Sequence, residues 1–221
     1  MNRIPTPRLI AYLIGFAIMS CLGMPAAFAA TVTAMITDDA GRPLADAVVM
    51  LAPEPGTPMP APERSRIATA TIDQTDEVFV PPVVVIRSGG TVVFRNSDGI
   101  RHHVYSFAPV RRFEMVQAPG ETSEPVRFDK PGAVAIGCNI HDHMIAHVFV
   151  TDAPWAIVTD AQGRAILPEL PAGQFVATVW HARLRPRSEP VTRQIALTAA
   201  NASLAVSLSV LPPRRPRGHD Y

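Results

Sequence analysis

Apolar and polar residues alternate in short runs along most of the chain, and each run is closed by glycine, proline, asparagine or aspartate. Such period-two runs with turn punctuation predict β-strands. Thr31–Thr37 and Ala47–Leu51 flank the turn Asp38-Asp39-Ala40-Gly41-Arg42-Pro43. Arg66–Gln74, Val83–Ile86, Thr91–Phe94, His102–Phe107, Ser123–Phe128, Gly132–Cys138 and Ala146–Val150 follow, with spacings of about ten residues that read as a sandwich or barrel. Ala156–Thr159, Gln174–Trp180, Gln194–Leu197 and Ser203–Val210 repeat the pattern after Pro154. No stretch after residue 30 combines a helical period with caps over three turns, so the expected fold class is all-β. Tyr105, Phe107, Phe128 and Phe149 are the expected core aromatics.

The first 29 residues break this pattern. Met1–Arg8 carries two arginines and no acid, Leu9–Met19 is an apolar run of 11, and Ala27-Phe28-Ala29 fits a small-x-small cleavage site. A run that short cannot cross a bilayer, which takes about 20 apolar residues. The segment reads as a secretory signal peptide, 1–29, which places the mature protein in the periplasm. Lipid attachment at Cys21 is the lesser alternative, because Met19 and Ser20 fit a lipoprotein box poorly. After cleavage no membrane span is expected.

Composition sharpens the picture in two places. Proline, at 23 of 221 residues, is about twice its average usage. Much of it gathers in two stretches: residues 53–65, read as a hinge, and 211–221, read as a basic disordered tail. Removing the signal leaves 18 cations against 19 acids, a balance that excludes a nucleic-acid binder. It also leaves Cys138 as the single thiol, in a compartment where cysteines usually form disulfides. A lone exported thiol is a buried apolar residue, an intermolecular bridge or a protected metal ligand.

Its neighbours point to a metal. Gly137-Cys138-Asn139-Ile140-His141-Asp142-His143-Met144 gathers a thiol, two imidazoles and a thioether. Strand alternation puts Val134, Ile136 and Cys138 on one inward face, with His141 and Met144 on the loop that follows. His102 and His103 lie upstream on opposite faces of one strand, and periodicity alone leaves open which of them joins the site. Cysteine, two histidines and a weak axial methionine form the ligand set of a blue-copper electron-transfer site. A structural zinc site would show four Cys or His ligands in paired spacings. His143, His147, His181 and His219 read as loop, strand, structural and tail residues.

Cys138-x-x-His141-x-x-Met144 resembles the copper loop of the cupredoxins, and its spacing is similar to that of amicyanin. Asn96-Ser97-Asp98-Gly99-Ile100-Arg101-His102-His103-Val104 resembles the plastocyanin run Asn-x-x-Gly-x-x-His-Asn-Val. That resemblance implies His102 as the remaining ligand, with His103 in the place of the asparagine. Together the motifs resemble exported plastocyanin-like proteins labelled methylamine-utilisation proteins, over residues 66–152. Val32–Leu51 and Ile157–Val179 resemble the two parts of a carboxypeptidase regulatory-like, transthyretin-like sandwich.

The resemblances imply a Greek-key cupredoxin sandwich (66–152) inserted into a second small sandwich made of 30–52 and 153–210. The alternative organisation is an N-terminal arm extending the cupredoxin sheet. The implied metal set is His102, Cys138, His141 and Met144 around one copper ion. The implied role is a non-enzymatic one-electron carrier serving a dehydrogenase or cytochrome c. The competing class is a copper storage, delivery or scaffold module.

Overall fold

The computed structural model describes residues 30–57, 69–185, 188–198 and 200–213. The expected signal peptide with Cys21, residues 58–65 of the expected hinge and residues 214–221 of the expected tail lie outside the described residues.

The described residues form 16 strands and no helix. In chain order the strands are β1 (Ala30–Asp38), β2 (Val48–Pro53), β3 (Thr69–Thr75), β4 (Val78–Val80), β5 (Val83–Arg87) and β6 (Gly90–Asn96). β7 (His102–Ser106), β8 (Phe113–Gln117), β9 (Val126–Phe128), β10 (Gly132–Cys138) and β11 (Ile145–Thr151) follow. The chain closes with β12 (Trp155–Val158), β13 (Arg164–Leu170), β14 (Gly173–Trp180), β15 (Val191–Leu197) and β16 (Ala202–Leu208).

The middle strands make two sheets, ordered β5-β11-β10-β7-β8 and β4-β3-β6-β9. Both close on one apolar core containing Ile72, Val92, Phe94, Phe128, Val134, Ile136 and Val148. Alternation along each strand turns every second side chain into that core. β10 shows it directly: Val134, Ile136 and Cys138 are buried, Ala133 and Ala135 are exposed and Gly137 is intermediate.

Strands from both ends of the chain build the other two sheets, β13-β1-β16 and β12-β2-β14-β15. Ile36, Leu51, Leu170, Phe175 and Leu208 fill the core between them. Two matched turns fasten this unit. Asp38 accepts from the amides of Ala40 and Arg42 and from the Arg42 guanidinium. Asp160 holds Gln162 and Arg164 in the same way. In the second turn Gly163 has φ +71° and sits against the Ile36 carbonyl and the Leu44 amide, leaving no room for a Cβ.

A third apolar cluster joins the two units. Val48, Met50, Val83 and Phe149 are buried in it, and Trp180 packs against them. The Trp180 ring lies 4.8 Å from Phe149 and 5.7 Å from His147.

Three strands escaped the sequence pattern, and each has a local reason. β4 is only three residues long. β8 carries Glu114 and Gln117 and exposes Val116. β13 contains Pro168, and its pairing with β1 slips between Ala30 and Val32, where Glu169 takes φ +60°. Phe107 corrects an expectation: it lies just past the end of β7, at the surface, with 68% of its area exposed. Tyr105 is half-buried, whereas Phe128 and Phe149 are buried as expected.

Candidate metal centre

β7 and β10 are neighbours, and their register places Val104 opposite Cys138. His102 enters β7 on the same inward face as Val104, and its side chain is fully buried. His103 turns to the other side of the sheet, where its ring lies 3.8 Å from Glu114. Of the two candidates, His102 is therefore the one brought to Cys138.

The loop after β10 folds back at once. The Asn139 amide donates to the His103 carbonyl, and the Met144 amide donates to the His141 carbonyl. These bonds return His141 to the thiol from the other side. Cys138 Sγ lies 3.7 Å from His102 Nδ1 and 3.8 Å from His141 Nδ1. The three donor atoms fall within 4.8 Å of one another, the one such group among the described residues. Met144 is buried in the same core cluster as Cys138. His143 is exposed, with its ring 5.9 Å from that of His141.

Chemistry tests whether a metal fits. An ion about 2.3 Å from sulfur and about 2.05 Å from nitrogen, at a trigonal angle, sets those donors about 3.8 Å apart. The observed separations match. The tautomer agrees as well: His102 Nε2 lies 2.7 Å from Asp98 Oδ2. An ionised carboxylate only accepts, so Nε2 carries the proton and Nδ1 presents its lone pair to the sulfur. One sulfur and two imidazole nitrogens converging in a buried space are placed to share a single cation. The residues fit copper: one soft thiolate, two imidazoles and a neighbouring thioether.

Asp98 and Glu77 were not legible as functional in the sequence, and Asn96 entered only as the first residue of the run that leads to His102. Burial acts to raise the Asp98 carboxyl, but the hydrogen bonds from His102 and from the Glu77 and Asp76 amides outweigh it, so Asp98 ionises below the usual carboxylate value. Buried Asn96 shapes the loop that presents both residues. Its amide donates to the carbonyls of Ile100, Gln117 and Ala118, and its oxygen accepts from the Asp98 amide. Glu77, on the turn held by Asp98, lies 3.7 Å from His141 Nε2. The one available hint was the four-residue step from Asp98 to His102, which recurs too often by chance to stand alone.

The two histidines differ in access. His102 is sealed, whereas the His141 side chain keeps 18% of its surface. Ile140 beside it is 55% exposed, and Ile145 is half-buried.

Fold and donor set together define an all-β protein with a Cys-His-His metal-type site. No family model matches the sequence, and no curated protein matches it. Among solved structures the chain is similar to amicyanin from Paracoccus versutus, at 20% identity over 38% of this chain and 81% of that one, with a TM-score of 0.33. It is similar to a purple cupredoxin from Nitrosopumilus maritimus at 20% identity, covering 37% of this chain and 99% of that one, with a TM-score of 0.34. A copper-containing nitrite reductase from Thermus scotoductus SA-01 matches at 26% identity with a TM-score of 0.33, over 38% of this chain and only 22% of the reductase. These likenesses cover little more than a third of the chain, and the functional reading rests on the donor set itself.

Proposed function

We propose that this is an exported, mononuclear type 1 copper protein that shuttles single electrons and is not itself an enzyme. One observation carries the reading: two imidazole Nδ1 atoms face one buried, unpaired thiol at 3.7 and 3.8 Å. Cys138, His102 and His141 would hold the ion, with the buried Met144 thioether as a further, weak ligand. Copper bound there supplies a Cu(II)/Cu(I) couple whose two states share one trigonal donor set.

The protein's own groups do the rest. Asp98 fixes the His102 tautomer and ring orientation. The β7–β10 pairing fixes Cys138, so the donors need not move when an electron arrives. The apolar core beneath them, with Phe94, Val104 and Ile136 buried, excludes water. His141 is the partly exposed edge, and Ile140 beside it offers an apolar contact to a redox partner such as a dehydrogenase or cytochrome c.

The shared sheets of 30–53 and 155–208 support one sandwich interrupted by the copper-binding unit. Periplasmic location follows from the signal-like first segment, and no described helix is long and apolar enough to cross a membrane.

The test is copper titration of the mature protein followed by visible spectroscopy and voltammetry. One equivalent should give an intense thiolate-to-copper band and a reversible one-electron wave. A colourless complex would sink the type 1 assignment. A coloured complex without reversible exchange would favour the storage or delivery class.

A further inference from the structure

The turn between β3 and β4 adopts a backbone that its own residues disfavour. Thr75 pairs with Val78, so Asp76 and Glu77 alone close the hairpin. Both take positive φ, 52° and 55°. A two-residue turn with both central residues left-handed is normally built from Asn-Gly or Asp-Gly, because glycine enters that region freely. Asp76 suits the first position. Glu77 stands where glycine is usual, and a Cβ in that region crowds the following carbonyl oxygen.

The turn is held from outside. Asp98 Oδ1 accepts from the Asp76 amide at 2.6 Å. Asp98 Oδ2 accepts from the Glu77 amide at 3.1 Å and from His102 Nε2 at 2.7 Å. One carboxylate therefore ties the turn to the buried histidine. The Glu77 side chain faces the other histidine: its Oε2 lies 3.7 Å from His141 Nε2, with the Glu77 side chain 46% exposed and that of His141 18% exposed. Glycine at 77 would relieve the backbone and remove an acid from beside Asp76 and Asp98, but it would take the carboxylate away from His141. Backbone strain that its surroundings hold in place at a site points to a role for the side chain it carries.

We propose that Glu77 is a positioning residue for the exposed histidine: from this strained turn it draws the Nε2 proton of His141 outward, aims Nδ1 at Cys138 Sγ and biases the site toward the more positive oxidation state of its ion. The bias rests on the copper reading above, whereas the orientation of the ring does not. A carboxylate only accepts, so the proton it attracts sits on Nε2 and the lone pair on Nδ1. An anion beside a redox ion favours the state of higher charge.

Orientation is tested on the metal-free protein at a pH where the His141 ring is neutral. Nitrogen-15 spectra should show the ratio of Nε2–H to Nδ1–H tautomer falling about threefold or more in Glu77→Gly, the worth of a partly exposed charged contact. An unchanged ratio overturns the orientation claim. The same variant should melt about 2 °C or more above the wild type, because glycine relieves the turn. An unchanged or lower melting temperature would mean that Glu77 serves the fold, and overturns the proposal. The bias is tested by voltammetry of the copper-loaded protein. Glu77→Gly and Glu77→Gln should each keep the visible band and lower the preference for Cu(II) over Cu(I) about three- to tenfold, a rise of about 30–60 mV at about 59 mV per tenfold. Asp142→Asn, which removes the exposed acid next to His141 in the chain, should move the potential less than half as far. No rise in the Glu77 variants, or an equal rise in Asp142→Asn, overturns the bias. A wild-type protein without the visible band would strike the copper reading and the bias with it, and the metal-free result would still decide the orientation.

Discussion

The two β-sandwich units bury polar groups to different ends. In the unit built from both chain ends, buried polar side chains close on backbone. Thr159 Oγ1 donates to the Leu44 carbonyl and accepts from the Ala47 amide, and His181 Nε2 lies 3.2 Å from the Ala45 carbonyl. Each is satisfied, and each fastens a turn to a strand. In the middle unit, Asn96 and Gln117 are likewise satisfied, but His102, Cys138 and His141 point their donor atoms at one another. A buried polar group satisfied by backbone is scaffold. Buried groups that converge on one another at a single point are a candidate site.

The sharpest way to break this comparison is Cys138→Ser. It should abolish the visible copper band while leaving the fold intact by circular dichroism; retained colour would remove the thiolate from the site. Next is Phe175→Ala, in the other core. It should cost about 3–5 kcal/mol in urea unfolding of that unit and leave the wavelength of the copper band unchanged. A shifted band would mean that the two units are not chemically separate. Asp98→Ala removes the acceptor behind His102 and should weaken copper binding about 10–100-fold by competition with a chelator, with Asp98→Glu recovering part of the loss. Gly163→Ala should destabilise the unit by about 1–3 kcal/mol, because φ +71° and the close Ile36 carbonyl both resist a side chain.

Acid acts on the same unit through His181. Burial, then the charge of Arg183, lowers His181 from 6.5 to about 4. The unfolded chain takes up this proton as pH falls through 6.5, and the folded protein resists until about 4. Stability is therefore present above pH 6.5 and lost between 6.5 and 4, at up to about 1.4 kcal/mol per pH unit. Urea midpoints at several pH values in this window should fall less steeply in His181→Gln than in the wild type.

Much of this was legible because strand alternation is a local signal. Gly132–Cys138 could be placed with Cys138 inward from its own seven residues, and the loop donors follow within six more. The choice of His102 over His103, implied by the resemblance of residues 96–104 and left open by alternation, has a structural basis that is not local. It depends on the β7–β10 register, which brings Val104 and not Tyr105 opposite Cys138. Asp98 and Glu77 were silent for the same reason, since their partners lie across loops and neighbouring strands. Phe107 misled because a phenylalanine that extends an alternating strand reads as core, whereas the strand ends at Ser106 and leaves it outside.

The most direct measurement is X-ray absorption at the copper edge of the loaded protein. A single sulfur and two nitrogen scatterers, at about 2.2–2.3 Å and about 2.0 Å, are expected in the wild type, with the sulfur lost in Cys138→Ser. A first shell of nitrogen and oxygen alone in the wild-type protein would contradict the account.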